Sequence, residues 1–98
     1  MSFTESHAEV GSKELLQLQS DLISLSKALQ DCYEVLDNNI SALNEEWRDA
    51  KFDEFEASFR KRKEQIMFLS EKYYDWATKY LQRRIDVVIE IENKKVSM

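Results

Sequence analysis

The stretch Leu43-Asn44-Glu45-Glu46-Trp47-Arg48-Asp49-Ala50-Lys51-Phe52-Asp53-Glu54-Phe55 decides the fold, because one helical repeat stops before it and another starts within it. Upstream, apolar side chains recur at Leu15, Leu18, Leu22, Leu25, Leu29, Cys32 and Leu36, then Asn39, then Leu43, with spacings that alternate between three and four. That is a heptad seam on one long helix. Continued in register, it would need apolar residues at 46, 50, 53, 57 and 60, where the chain has Glu46, Ala50, Asp53, Ala57 and Arg60. A second seam starts at Phe52, Phe55 and Phe59, passes over Arg62, and runs through Ile66, Leu69, Tyr73, Trp76 and Tyr80. It then passes over Arg83 and reaches Val87. The phase break predicts one domain over 1–98, with helix one over about 12–43, a corner at about 44–49 and helix two over about 50–93. Ser12 is placed to cap the first helix and Asp49 the second. Trp47 is expected to pin the corner, so Trp47→Ala should cost about 2–4 kcal/mol, as loss of a large buried aromatic does. One unbroken helix is the alternative, since the corner holds neither Gly nor Pro.

Composition agrees with long helices. The 98 residues include no proline and a single glycine, Gly11, with 34% charged and 43% hydrophobic residues. Sheets need many turns, and turns need residues this chain lacks. Two helices alone bury little surface, so association is expected to contribute to stability. Asn39, the polar member of the first seam, either sets register and partner choice or is an exposed position near the helix end.

Net charge is −5, which argues against nucleic acid as a partner. Residues 1–46 hold two basic and nine acidic groups, net −7, whereas residues 47–98 hold twelve and ten, net +2. Such halves suit antiparallel packing on each other, or form two separately solvated faces. The basic run Arg60-Lys61-Arg62-Lys63 fits pairing with the acidic helix or solvation, more readily than contact with an acidic partner or lipid headgroups. Cys32, the single cysteine, allows no internal disulfide and reads as a small core residue. No run of apolar residues is long enough for a membrane span. Met1-Ser2-Phe3-Thr4-Glu5-Ser6-His7 has neither a basic nor an apolar leader region, so no cleaved signal peptide is expected, and residues 1–10 are expected to fray.

Each helix also carries a second apolar flank: Leu16, Ile23, Tyr33 and Ile40 on the first, and Phe68, Tyr74, Ala77, Leu81 and Val88 on the second. If a hairpin covers the seams, these flanks stay open and become interface candidates, buried when two hairpins pair into a four-helix bundle. Nine of the eleven aromatics fall between Trp47 and Tyr80, as bulky core packing or as anchors for a partner, Trp76 and Tyr73-Tyr74 foremost. No phosphate loop, metal-ligand spacing or nucleophile motif is present. His7, the single histidine, lies in the polar N-terminal stretch without a positioned partner and reads as a surface residue. No catalytic residue, cofactor or metal is expected.

The segment around Trp47 resembles the central motif of the Trp-X-Gly family, the early-secreted-antigen-like proteins, with Trp47 at the Trp position, Asp49 at the Gly position, and Phe52 and Phe55 opening an aromatic-rich second helix. The resemblance implies an all-α antiparallel hairpin that pairs into a four-helix bundle, as homodimer or as heterodimer with a related small helical protein. It further implies a link to type VII or related bacterial secretion, with secretion machinery or a toxin as partner and export without a cleaved signal peptide. The family's C-terminal export signal, Tyr followed four residues later by Asp or Glu, is missing: Tyr73, Tyr74 and Tyr80 are followed by Ala77, Thr78 and Arg84. A cytoplasmic coiled-coil adaptor or chaperone is the second reading. A helical-bundle enzyme is the third and least supported, since such sites need inward Glu and His ligands.

Overall fold

The computed structural model describes residues 11–47 and 49–97, all of them in helices and the turns that join them. Helix α1 spans Ser12–Asn44 and helix α2 spans Ala50–Asp75. A five-residue π turn, Trp76–Tyr80, joins α2 to helix α3, Leu81–Ser97, so that α2 and α3 form one continuous arm. The two arms make an extended hairpin, 71 × 26 × 16 Å in extent. Its radius of gyration is 20.9 Å, against about 13 Å for a compact chain of this length. Expectations for residues 1–10, His7 included, and for Arg48 lie outside the described residues.

The corner holds no glycine, and none of its described residues has positive φ. The amides of Glu46 and Trp47 both donate to the Leu43 carbonyl at 3.0 and 2.8 Å, closing α1. Asp49, at φ −133° and ψ 166°, then turns the chain in an extended conformation, and its carboxylate accepts from the Phe52 amide at 2.7 Å. That is an N-cap on α2. Trp47 sits differently from expectation: it is 50% exposed, stacks on Phe52 with centroids 5.1 Å apart, and donates from Nε1 to Asp49 Oδ2 at 2.5 Å. It braces the cap from outside. Ser12 also departs from expectation, since Gly11 occupies the N-cap position of α1. Ser12 instead clamps the open end, donating from its amide and Oγ to the two Glu92 carboxylate oxygens at 3.0 and 2.6 Å.

The line along which the arms meet takes in only one edge of the leucine seam. From α1 it takes Leu15, Gln19, Ser26, Gln30, Tyr33, Asp37, Ile40 and Asn44; from the second arm it takes Phe52, Glu56, Phe59, Lys63, Ser70, Ala77, Leu81 and Ile85. Apolar layers alternate with polar ones. Ile40, Phe52 and Phe59 cluster near the corner, with Tyr33 stacked on Phe59 at 5.6 Å. Next to them, Asp37 binds Arg60 and Lys63, and Glu34 lies 3.3 Å from Lys63. Two residues of the basic run thus pair with the acidic helix. Asn44 donates to Glu56 Oε1 at 3.2 Å, while the buried Glu56 Oε2 accepts no hydrogen bond and has the Arg60 guanidinium 3.8 Å away. At the waist, Ser26 and Ser70 are both buried. Ser26 Oγ donates to the Ser70 carbonyl at 2.8 Å and Gln30 Nε2 donates to Ser70 Oγ at 3.1 Å. Small hydroxyl side chains suit a close approach of the backbones, and both of these buried hydroxyls are hydrogen-bonded.

The π turn corrects the phase of the second arm. Inner positions Phe52, Glu56, Phe59, Lys63, Ile66, Ser70, Tyr73 and Ala77 alternate by four and three. Strict continuation would bring in Tyr80 and Arg84, both exposed. The Leu81 amide instead reaches back five residues to the Trp76 carbonyl, and the extra residue rotates the next turns by about 100°. Leu81 and Ile85 therefore become buried. Gln19 of α1 donates to the Ala77 carbonyl at 2.9 Å and to Gln82 Oε1 at 2.7 Å, tying the π turn to the opposite arm.

Candidate functional site

At 3.6 residues per turn, the two seams lie beside the contact line, on the same side of the hairpin. Leu18, Leu25, Leu36 and Leu43 are between 42 and 46% exposed, and Cys32 beside them is exposed rather than in the core. From the second arm come Phe55, Leu69, Trp76, Tyr80 and Val87, all exposed, with Trp47 at the corner. Shallow grooves join the two rows. Leu43, Trp47 and Phe55 line one near the corner, floored by Ile40 and Phe52. Leu18, Leu22, Tyr73 and Trp76 line a second, and Leu15, Leu18, Trp76 and Tyr80 a third near the open end. Trp76 and Tyr80 stack with centroids 5.4 Å apart, which holds both rings on this face.

The expectation that the hairpin covers the seams and leaves the flanks open is corrected in part: Phe52 and Phe59 of the second seam are buried between the arms and Leu15, Leu22 and Leu29 of the first are half-buried, whereas Leu18, Leu25, Leu36, Leu43, Leu69, Trp76 and Tyr80 are exposed. Polar neighbours of the seams share the contact line, and the outer residues of each seam remain exposed. Of the flank residues, Ile40 and Leu81 are buried between the arms, and Ile23, Tyr33 and Val88 are half-buried. Leu16, Phe68 and Tyr74 are exposed. Tyr74 shares a groove with Ile23, Lys27 and Gln30 on the opposite side, and Phe68 faces outward with the Lys72 ammonium 5.0 Å from its ring centroid. Among the turn residues, Phe52 is buried, Asp49 caps α2, and Phe55 is exposed and stacked toward Phe59 at 6.4 Å.

The charges that depart from ordinary behaviour serve the scaffold. Hydrogen bonds from Arg60 and then Lys63 hold the Asp37 carboxyl down to about 2. The same contact raises Lys63. Asp49 is lowered by the Phe52 amide and then by Trp47, and Glu92 is lowered by Ser12. Each of these groups is ionised and bonded to a neighbour, so none is poised to move a proton near pH 7. Among the described residues no three His, Cys, Asp or Glu side chains gather as metal ligands, and no helix is long and apolar enough to cross a membrane.

The chemistry left to this arrangement is contact: an elongated apolar face with aromatic side chains at both ends and charged margins. Gln19, Ser26, Gln30, Ser70 and Ile85 escaped the sequence reading; in hindsight, the small polar residues Ser26 and Ser70 beside each seam were the available signal. Compared with known protein families, curated proteins and solved structures, the chain matches none.

Proposed function

We propose that the chain is a non-enzymatic protein-binding module that works through the apolar face bearing Leu18, Leu25, Leu36, Leu43, Trp76 and Tyr80. The observation that carries this reading is the exposure of the outer residues of both seams on one side of a hairpin whose own contact line is rich in polar residues. A monomer that leaves its most regular apolar stripes in water stores binding free energy for a partner. The resemblance at Trp47 and Asp49 to Trp-X-Gly proteins supports a role as an exported protein, or as partner or adaptor, in a type VII-like or related secretion system, with pairing into a four-helix bundle. The missing export signal near Tyr73, Tyr74 and Tyr80 favours a second reading, a cytoplasmic adaptor or chaperone.

Blotting culture supernatant against a cytosolic lysis control separates the two. Enrichment of the chain in the supernatant supports secretion, and confinement to the lysate supports the adaptor. In-cell cross-linking tests the binding claim. Wild type should yield discrete adducts that Leu25→Ser/Trp76→Ser loses; equal cross-linking of both would contradict the assigned face.

A further inference from the structure

Resting on the protein-binding reading above, we infer that the open end of the second arm is a two-register device: the π turn displays Tyr80 and Val87 for a partner, and a straightened turn withdraws them.

Helix α3 carries two apolar rows one residue apart. Leu81, Ile85 and Val88, followed by Glu92, face α1; Leu81 and Ile85 are buried and Val88 is half-buried. Tyr80, Arg84, Val87 and Ile91 form the other row, and all four are exposed. This second row, spaced four, three and four, is the one that continues the inner phase of Ser70, Tyr73 and Ala77. An unbroken α-helix would therefore set Tyr80, Val87 and Ile91 against α1. The extra residue in Trp76–Tyr80 turns everything beyond it by about 100° and exchanges the rows. A face meant only for solvent needs no apolar row in the phase of the core.

Two contacts hold the observed register. A residue inserted in a helical ladder leaves a carbonyl without its usual amide donor. Gln19 donates to the Ala77 carbonyl within the turn at 2.9 Å and to Gln82 Oε1 at 2.7 Å. At the far end, Ser12 holds both Glu92 carboxylate oxygens. Straightening the turn carries Gln82 and Glu92 away from these partners, so both contacts open together. It also brings the Arg84 guanidinium between the arms, which is costly. The straight register is therefore the minor one, populated on the order of 1%.

The registers differ in what they present outside. In the observed one, Tyr80 stacks on Trp76 with centroids 5.4 Å apart and lines two grooves of the apolar face with Arg84, one of them shared with Val87. In the straight one, Tyr80 and Val87 turn inward, and Leu81 and Ile85 emerge on the opposite side. A partner on the apolar face meets Tyr80 and Val87 only in the first, so its binding selects that register.

Two variants of the full chain fix the registers. Deleting Lys79, an exposed residue of the turn, brings Leu81, Ile85 and Val88 into heptad phase with Ala77 and fixes the display. Exchanging two neighbours, Arg84→Ile/Ile85→Arg, puts the apolar side chain in the straight row and the charge in the other, and fixes the withdrawn state. Fluorotyrosine is the probe, with the Tyr80 signal assigned by Tyr80→Phe. Its fluorine shift between light and heavy water reads exposure, and circular dichroism checks helicity. Tyr80 should be exposed in wild type and in the deletion, and should lose most of its isotope shift in the exchange variant. A helical exchange variant that keeps Tyr80 exposed overturns the proposal. Should that variant fail to fold, nitrogen relaxation dispersion decides. Wild type should show millisecond exchange confined to residues beyond Trp76 and absent from the deletion; flat profiles in wild type overturn the proposal. In-cell cross-linking of wild type and the deletion should be equal, and that of the exchange variant about tenfold lower. Equal adducts from all three contradict the coupling to binding. Adducts from none reject the protein-binding reading, while the fluorine signal still decides the registers.

Discussion

Leu25 and Ser26 are neighbours on α1, and the structure assigns them opposite duties. A heptad count puts Leu25 in the core and Ser26 outside it, yet Leu25 is 45% exposed and Ser26 is 2% exposed, bonded across to the other arm. Two substitutions exploit this. Ser26→Leu inserts a branched side chain against the fully buried Ser70 and removes the bond to the Ser70 carbonyl. Overpacking costs about 1–3 kcal/mol and the lost hydrogen bond about 0.5–1.5, so the hairpin should lose roughly 2–4 kcal/mol. At about 4–8 °C per kcal/mol for a domain of this size, the melting temperature should fall by about 8 °C or more. Leu25→Ser removes a side chain only half withdrawn from water, about 1 kcal/mol within one hairpin. The assay is thermal unfolding followed by circular dichroism over a range of concentrations, so that folding and association separate. Ser26→Leu should lower the midpoint at every concentration. Leu25→Ser should lower it chiefly where wild type self-associates. The reverse order, with Leu25→Ser the more damaging at the lowest concentration, would refute the assignment of the contact line.

Three further outcomes follow from the geometry. Trp47→Ala should cost about 1–2 kcal/mol, less than a buried aromatic, because half the indole is already in water; a loss of 4 kcal/mol by urea unfolding would mean the corner is packed from both sides. Gln19→Ala leaves the Ala77 carbonyl without its partner from α1, so stability should fall by about 1–3 kcal/mol and amide exchange at Leu81 and Gln82 should quicken, whereas unchanged exchange would mean the π turn holds by itself. Asp37 binds a proton less readily folded than unfolded, so its contribution is full above its ordinary value of 3.8 and fades as pH falls toward about 2. Asp37→Asn should flatten that part of the acid unfolding curve, and an unaltered curve would count against the Asp37–Arg60–Lys63 cluster.

The fold was legible where the signal was a change of phase. The stop after Leu43 and the restart at Phe52 mark a corner, and Asp49 caps the helix that follows. The face was harder to read. A heptad seam says which side chains avoid water but not which neighbour covers them, and here the covering arm meets one edge of each seam together with the polar positions beside it. Cys32 and the flank residues Ile40 and Leu81 were misplaced for that reason. Ile85 and the π turn were hidden more deeply, because a one-residue phase slip inside a run of good helix formers leaves no breaker in the sequence. Its trace is that Tyr80 and Arg84 fall where apolar inner residues would be due.

The claim that the apolar face pairs two hairpins is tested most directly by the protein's mass in solution. Sedimentation equilibrium at tens of micromolar should give about twice the 11.7 kDa chain mass for wild type, and the single-chain mass for Leu25→Ser/Leu36→Ser/Trp76→Ser with helicity intact. A wild type that remains at 11.7 kDa, or a triple variant that associates as wild type does, would contradict it.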